Sequence, residues 1–215
     1  MIKPLDDCLI YTFVDTACLR GRDAADVAKQ LCDGGADVVQ LRAKNCAMEE
    51  VRQLAEKIGP IVQGAGAALV INDYPQIALD VGASYCHLGQ EDFSGFRGVG
   101  EVTGAKLLKI GLSSHSPEQA ERAVKAGAAY IAVGPIYSTP TKPSARPVGL
   151  QYVRWAAKHV AIPWFAIGGV NLETLDAVLE AGARRICVVS AILNAPDICE
   201  ACQSFKERLL SARRS

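Results

Sequence analysis

Short apolar runs alternate with amphipathic stretches along the whole chain, and this alternation limits the fold more than any other feature. The apolar runs have strand length and lie at Leu9–Val14, Asp37–Leu41, Ala68–Ile71, Ser84–Leu88, Lys106–Ile110, Tyr130–Val133, Pro163–Ile167 and Arg185–Val189. Between them, apolar residues recur at helical spacing. Strands that alternate with helices form a parallel sheet, and eight right-handed crossovers close it into a barrel. The pattern predicts an α/β fold, a single (β/α)8 TIM barrel.

A Gly-Ala pair before four of the predicted strands supports this architecture. The pairs begin at Gly35, Gly82, Gly127 and Gly182, at intervals that correspond to two strand–helix units. Glycine after a helix supplies the left-handed turn that leads into the next strand. The 215 residues fall below the roughly 250 typical of such barrels. We therefore expect short loops and one barrel domain over residues 1–215.

Several helix boundaries are also legible. Ser116 is a candidate N-cap, Pro117 suits the first helical position, and Gln119 completes the spacing of a capping box. Met48 to Gly64 predicts a long helix, and Asn171 is a candidate cap for a later one. The segment from Glu91 to Gly104 contains four glycines, so we expect a loop or a broken helix there.

The overall charge and hydropathy exclude several function classes. The 23 basic residues balance 23 acidic ones, whereas a nucleic-acid partner normally requires a basic surface. No apolar run approaches the ~18 residues of a membrane span, and the first residues lack the apolar stretch of a secretory signal. We expect a cytoplasmic protein with small-molecule partners. The sequence leaves the oligomeric state open, although many barrels of this type associate.

Most of the eight cysteines lie in apolar stretches and are interpreted as core-filling side chains. Cys199 and Cys202 have the spacing of half a zinc or redox site, but no second such pair is present. Metal binding by this pair stays open at this stage.

The residues that follow the predicted strands are polar or glycine, which is informative because barrels of this kind carry their active site at the C-terminal strand ends. In strand order they are Gln40 to Lys44, Asn72 with Asp73, Gly89 to Asp92, Ser113 with Ser114, Gly134 to Lys142, Gly168 with Gly169, and Ser190. Loops are commonly polar in any protein, so the residue types matter more than the polarity.

Three cations and two carboxylates fall in this set. Arg42, Lys44 and Lys142 would converge on one barrel mouth together with Asp73 and Asp92. One interpretation is a group of ordinary ion pairs. The other is a polyphosphate ligand with its Mg²⁺, since Mg²⁺ is held by one or two carboxylates plus substrate phosphates and waters, and Arg and Lys bind phosphate oxygens.

The ends of strands seven and eight suggest a second anion. Gly168-Gly169 and Val189-Ser190 occupy the loops that often bind phosphate in this barrel. A tight turn would explain the glycine pair equally well.

Five sequence motifs, taken in chain order, resemble those of one known family. The chain resembles the thiamine-phosphate synthase family in Gln40-Leu41-Arg42-Ala43-Lys44, Ile71-Asn72-Asp73, His87-Leu88-Gly89-Gln90-Glu91-Asp92, Gly134-Pro135-Ile136-Tyr137 with Thr139-Pro140-Thr141-Lys142, and Ala166-Ile167-Gly168-Gly169-Val170. The resemblance implies transfer of the pyrimidinylmethyl group of 4-amino-2-methyl-5-hydroxymethylpyrimidine diphosphate to 4-methyl-5-(2-hydroxyethyl)thiazole phosphate. Diphosphate is released by a dissociative mechanism, with Mg²⁺ as cofactor.

The resemblance also implies roles for single residues. The pyrimidine diphosphate would be contacted by Gln40, Leu41, Arg42, Ala43, Lys44, Asn72, Ser113 and Lys142. The thiazole phosphate would be contacted by Thr139, Pro140, Thr141, Gly169, Val189 and Ser190. Asp73 and Asp92 would bind Mg²⁺, and Arg42, Lys44, Ser113 and Lys142 would act in catalysis. No protein nucleophile is required, because the thiazole nitrogen attacks.

Two departures and two alternatives accompany this hypothesis. Tyr74 stands where family members often have Arg, and Ser138 where many have Pro. A related subfamily on the same barrel acts as a thiazole tautomerase or regulator, and a non-catalytic phosphate sensor is a further alternative. His87 and His115 are expected to be structural or to support neighbouring site residues.

Overall fold

Eight parallel strands close into a barrel in chain order, each paired with the next and the last with the first. The structure is a computed structural model and describes residues 2–94, 98–100, 108–139, 141–142 and 144–214. The strands are β1 (Ile10–Asp15), β2 (Val38–Arg42), β3 (Ala68–Asn72), β4 (Tyr85–Leu88), β5 (Lys109–Ser114), β6 (Tyr130–Val133), β7 (Trp164–Ile167) and β8 (Ile186–Cys187). The predicted (β/α)8 barrel is confirmed.

Helices connect the strands on the outside of the barrel. Within the described residues they are α1 (Ala24–Asp33), α2 (Met48–Gly64), α3 (Pro75–Asp80), α4 (Gln90–Phe93), α5 (Pro117–Lys125), α6 (Gly149–His159), α7 (Leu175–Glu180), α8 (Ser190–Leu193) and α9 (Ile198–Arg214). Two 3-10 turns, Leu5–Asp7 and Thr16–Cys18, flank β1. A loop or broken helix is expected between Glu91 and Gly104; residues 95–97 and 101–104 of this segment lie outside the described ranges, and its first residues belong to α4.

The fifth strand differs from its predicted position. β5 runs to Ser114, four residues beyond the predicted end at Ile110. Its register is set by its neighbours, because Gly111 pairs with His87 of β4 and with Tyr130 of β6. A Cβ at position 111 would lie 2.1 Å from the Tyr130 ring. Glycine inside this strand therefore makes room for an aromatic side chain from the next strand.

Capping at α5 differs slightly from the predicted box. The Ser116 hydroxyl accepts a hydrogen bond from the Gln119 N–H at 3.3 Å, as predicted. The Gln119 side chain accepts instead from the His115 N–H, one residue before the cap. At α7 the helix begins later than predicted, after a turn in which Asn171 and Thr174 exchange side-chain-to-backbone hydrogen bonds.

Aromatic side chains fill the barrel interior. The rings of Tyr11, Tyr130 and Phe165 pack edge to face, with centroids 5.3 to 5.9 Å apart. Aromatic pairs prefer this geometry. All three side chains are fully buried, so the middle of the barrel is a packed core beneath the mouth.

A single carboxylate closes the opposite end of the barrel. Asp37 precedes β2 and accepts hydrogen bonds from the backbone N–H groups of Leu9 and Ile10 at 2.7 and 3.1 Å. Its carboxylate also binds Lys3 at 3.0 Å and Lys206 at 2.5 Å. These contacts tie the N-terminal segment and α9 to the base of the sheet.

Cys8, Cys86, Cys187 and Cys202 are buried, as expected of core-filling thiols, and the other four cysteines are partly buried. Burial raises the pKa of Cys8 and of Cys202, each to about 12. None of the helices in the described ranges has the length and apolarity needed to cross a membrane.

Candidate active site

A cavity of about 380 Å³ opens at the C-terminal ends of the strands and gathers most of the predicted site residues. Those that line it are Gln40, Arg42, Lys44, Asn72, Asp73, Ser113, Thr139, Thr141, Lys142, Gly169, Val189 and Ser190. They come from the ends of six strands, β2, β3, β5, β6, β7 and β8, so residues far apart in the chain meet in one mouth.

Leu41 and Ala43 lie elsewhere. Successive side chains of a strand point to opposite faces, so Gln40 and Arg42 reach the cavity whereas Leu41 and Ala43 are buried in the surrounding core. Pro140, predicted as a thiazole-phosphate contact, lies outside the described residues.

Asp73 is the most unusual residue of the mouth. It follows β3 with φ +65°, in the left-handed region that Asp and Asn tolerate better than most residues. Its Oδ2 lies 3.3 Å from the Lys44 ammonium. Its Oδ1 is buried and has no hydrogen-bond partner. A buried polar atom without a partner is costly, so this oxygen is available to a ligand that enters the cavity.

Asp92 is exposed and is not among the residues that line the cavity, but it lies beside Asp73. Burial raises the pKa of Asp73, the Lys44 ammonium lowers it, and the neighbouring Asp92 carboxylate raises it again, so that the net shift is upward. Asp92 is itself held at the start of α4, where its Oδ2 accepts a hydrogen bond from the Gly89 N–H at 3.2 Å. Two carboxylates are thus brought together although their negative charges repel each other.

This donor set fits a divalent cation only in part. No group of three or more Asp, Glu, His or Cys side chains within the described ranges could hold a metal ion. Mg²⁺ commonly needs only one or two carboxylates, with phosphate oxygens and waters completing its shell. The Asp73–Asp92 pair, with one buried oxygen free, meets that requirement once a phosphorylated ligand is present.

The three cations of the mouth differ in whether a carboxylate is paired with them. Arg42 donates to Asp15 at 2.8 Å, and Asp15 is only 1% exposed. Lys44 pairs with Asp73, so for these two cations the ion-pair interpretation is correct as far as the ligand-free protein goes. Lys142 lines the cavity, and no carboxylate of the described residues lies within ion-pair distance of it.

The loops after β6 and β7 form the opposite wall. Gly168 and Gly169 have positive φ values of +98° and +68°. A Cβ on Gly168 would lie 2.4 Å from Pro135, and one on Gly169 would lie 2.6 Å from Tyr137. The glycine pair is therefore required for close packing of two loops. The tight-turn interpretation holds, and the same packing leaves Gly169 lining the cavity.

Several residues that were not among the predicted ligand contacts also belong to the site. Tyr11, Phe13, His87, His115 and Pro135 also line the cavity. His87 lies 3.0 Å from the Ser113 hydroxyl through Nε2 and 3.1 Å from the Tyr130 hydroxyl through Nδ1. Burial lowers the pKa of His87 to about 4, so its imidazole is neutral near pH 7. The inward-facing positions of β1 and β4 in the alternating strand pattern could have indicated Tyr11, Phe13 and His87.

His115 has a more local role. Its Nδ1 contacts the Gly134 carbonyl, and its backbone N–H donates to Gln119 at 2.7 Å. It thereby links the end of β5 to the end of β6 at the cavity wall. This agrees with the structural role expected for this histidine.

A (β/α)8 barrel with cations, paired carboxylates and glycine turns at its strand ends defines a class of enzymes that bind phosphorylated small molecules in the barrel mouth. The chain belongs to the thiamine monophosphate synthase family, whose model matches residues 10–192. The family resemblance inferred from the five motifs is thereby confirmed.

Individual relatives agree with this assignment. The chain is 44% identical over 185 residues to a thiamine-phosphate synthase of Thermus thermophilus, covering 86% of this chain and 88% of that protein. It is 42% identical over 214 residues to one of Acidothermus cellulolyticus, covering 99% of this chain and 100% of that protein. Among solved structures, thiamine phosphate pyrophosphorylase of Pyrococcus furiosus superposes with a TM-score of 0.86 at 28% identity, covering 98% of this chain and 99% of that one.

Proposed function

We propose that this protein is a thiamine-phosphate synthase. As a transferase of thiamine biosynthesis, it joins the pyrimidinylmethyl group of hydroxymethylpyrimidine diphosphate to the ring nitrogen of thiazole phosphate and releases diphosphate. The names of its relatives and the family model support this activity. The observation that carries the proposal is Asp73, which has a free buried oxygen and lines one cavity with Arg42, Lys44 and Lys142, with the Asp92 carboxylate beside it.

The side of the mouth formed by β2, β3 and β5 is suited to the pyrimidine diphosphate. Gln40 and Asn72 are buried amides at the cavity wall and would orient the aminopyrimidine ring, together with the Ser113 hydroxyl. Arg42, Lys44 and Lys142 would meet the diphosphate oxygens. Negative charge accumulates on diphosphate as the C–O bond breaks, and preorganised cations aimed at that charge lower the barrier.

We propose that Asp73 and Asp92 hold the Mg²⁺ that accompanies the diphosphate. When bound, this ion would neutralise part of the diphosphate charge. In the structure the Lys44 ammonium forms an ion pair with Oδ2 of Asp73. The same ammonium would turn to a phosphate oxygen when the carboxylate binds the cation.

The wall formed by β6, β7 and β8 is suited to the thiazole phosphate. Thr139 and Thr141 supply hydroxyl groups, and Gly169, Val189 and Ser190 present backbone groups at the loops where this barrel commonly binds phosphate. The thiazole nitrogen would then face the pyrimidinylmethyl carbon from which diphosphate departs. For this bond-forming step the protein would orient the two substrates and exclude water.

The proposed environment follows from the same argument. Residues 1–215 would act as one barrel domain in the cytoplasm, with phosphorylated small molecules rather than nucleic acid or membrane as partners. The balanced charge of the chain supports a small-molecule rather than a nucleic-acid partner.

Turnover with both substrates tests the proposal. Purified protein given hydroxymethylpyrimidine diphosphate, thiazole phosphate and Mg²⁺ should form thiamine phosphate and diphosphate, and a chelator should abolish the reaction. Lys142→Met should lower kcat/KM by about 10²-fold, whereas Lys158→Met, an exposed lysine of α6, should leave it unchanged. Thiazole-phosphate consumption without the pyrimidine would support the tautomerase alternative, and binding of both ligands without turnover would support the sensor.

A further inference from the structure

A continuous chain of side-chain hydrogen bonds crosses the barrel beneath the mouth. The Gln40 amide nitrogen lies 2.6 Å from the Tyr11 hydroxyl, and that hydroxyl lies 2.9 Å from the hydroxyl of Tyr130. Tyr130 in turn contacts His87 Nδ1 at 3.1 Å, and His87 Nε2 contacts the Ser113 hydroxyl at 3.0 Å. The five side chains come from five different strands. The proposed reaction uses only the two ends of this chain.

The atom at one end sets the direction of every hydrogen bond. An amide nitrogen only donates, so the Tyr11 oxygen accepts from Gln40 and its single O–H is left to donate to Tyr130. The Tyr130 oxygen then accepts, and its own O–H donates to Nδ1 of His87. A neutral imidazole that accepts at Nδ1 carries its hydrogen on Nε2. His87 therefore donates to Ser113.

We propose that Tyr11, Tyr130 and His87 are positioning residues that orient the Ser113 hydroxyl so that its hydrogen points into the cavity. Because the Ser113 oxygen accepts from His87, its O–H is free to donate to a ligand at the mouth. The subsite then offers a hydrogen-bond donor that suits an acceptor on the substrate, such as a ring nitrogen or a phosphate oxygen. No bond is made or broken along the chain.

The surroundings favour a fixed direction. Tyr11, Tyr130 and Gln40 are buried, and the Tyr130 ring is held by Tyr85 and Phe165 at centroid distances of 5.7 Å. The ring of His87 stacks on Tyr130 at 5.6 Å. Buried polar groups without a partner are costly, so reversing one hydrogen bond requires reversing all of them.

The direction can be measured without any substrate. Long-range ¹H–¹⁵N NMR of the full-length protein near neutral pH distinguishes the two neutral tautomers and the imidazolium of each histidine. His115→Asn and His159→Asn assign the other two rings, leaving His87 by elimination. We expect the Nε2–H tautomer at His87. The Nδ1–H tautomer or an imidazolium would overturn the proposal.

Removing one hydroxyl from the chain gives a second test. Tyr130→Phe should move His87 away from the pure Nε2–H tautomer and lower kcat/KM for the pyrimidine diphosphate by about tenfold, with KM for thiazole phosphate unchanged. Tyr85→Phe is the matched control, because Tyr85 packs on the same ring outside the chain. Its tautomer and kinetics should equal those of the wild type. A wild-type tautomer in Tyr130→Phe would overturn the proposal.

Only the kinetic part of this test rests on the proposed function. A protein that shows the Nε2–H tautomer but forms no thiamine phosphate would refute the function and leave the hydrogen-bond direction standing. Normal turnover with the Nδ1–H tautomer would do the reverse.

Discussion

Two carboxylates at opposite ends of the barrel, the buried Asp37 and the partly buried Asp73, have opposite surroundings. Asp37, at the base, is 7% exposed and is bound by two lysines and two backbone N–H groups. Burial raises its pKa, but the hydrogen bonds from Lys206, Leu9 and Ile10 outweigh burial and the net shift is downward. Asp73, at the mouth, has one lysine, an acidic neighbour, a free buried oxygen and a raised pKa.

The difference separates stability from function in this barrel. At the base every polar atom of the carboxylate is satisfied, so the residue secures the N-terminal segment and α9 to the sheet. At the mouth the fold holds a carboxylate in an unfavourable state that a bound cation would relieve. Residues at the N-terminal face of such barrels commonly serve stability, and those at the C-terminal face serve catalysis.

The largest expected effect is on activity, at the mouth. Asp73→Asn should lower kcat/KM for thiamine-phosphate formation by about 10³-fold, because a preorganised charge next to the leaving group is lost. Asparagine tolerates the positive φ of this position, so the backbone is preserved. Asp37→Asn, assayed well below its unfolding temperature, should retain wild-type kcat. Equal losses in the two variants in a steady-state assay would remove the contrast between the two ends.

The next largest effect is on stability, and here Asp37→Asn rather than Asp73→Asn should show the loss. Asp37→Asn should lower the free energy of unfolding by about 3 kcal/mol, because Lys3 and the largely buried Lys206 lose their carboxylate partner, which corresponds to a Tm about 9 °C lower. Asp73→Asn should leave the stability unchanged or raise it slightly, since it removes a carboxylate whose ionised form the fold disfavours. Thermal and denaturant unfolding check both. A large loss in Asp73→Asn would show that its contacts are structural.

Asp15 sharpens the comparison, because it lies at the mouth but is fully partnered. It accepts from Arg42 at 2.8 Å and from the Ala17 N–H at 3.1 Å. Asp15→Asn should free the guanidinium and lower kcat/KM by about 30-fold, through misplacement of one cation. Asp176→Asn breaks an Arg–Asp pair whose side chains are 51% and 52% exposed, and should change kcat/KM less than twofold. Unchanged activity in Asp15→Asn would mean that Arg42 needs no fixed orientation.

The smallest effect is the pH dependence of stability. The folded-state pKa of Asp37 is lowered, so its stabilising contribution is complete above its unfolded-state pKa near 4 and is lost as the pH falls through the folded value. The wild type and Asp37→Asn should therefore converge in acid. Asp73 has the opposite sign: its folded-state pKa is raised, so its ionisation costs stability as the pH rises through that value. Denaturant titrations over an acidic pH series measure both, and a constant gap between wild type and Asp37→Asn would contradict the first.

Features that depend on local sequence could be predicted, and features that depend on non-local pairing could not. Alternating apolar runs gave the barrel, and the polar residues after each run gave twelve of the side chains or glycines that line the cavity. The contact between Asp15 and Arg42 joins residues 27 apart in the chain, and that between Tyr11 and Tyr130 joins residues 119 apart. Nothing in either stretch alone indicates its partner.

The register of β5 shows the same limit. The apolar run from Lys106 to Ile110 predicted the strand too early, since Gly111, Ser113 and Ser114 lack the composition of a strand interior. Their pairing with β4 and β6, and the room that Gly111 leaves for Tyr130, decide the register. The same pairing places Ser113 inside β5, where its hydroxyl lies within hydrogen-bond distance of His87.

Calorimetric titration of inorganic diphosphate, with Mg²⁺ and with a chelator, tests the contrast between the two carboxylates most directly. In the wild type and in Asp37→Asn, Mg²⁺ should tighten diphosphate binding by about tenfold or more. In Asp73→Asn the dependence on Mg²⁺ should disappear. The same Mg²⁺ dependence in Asp73→Asn as in the wild type would contradict the account, because the free oxygen of Asp73 would then have no part in binding the cation.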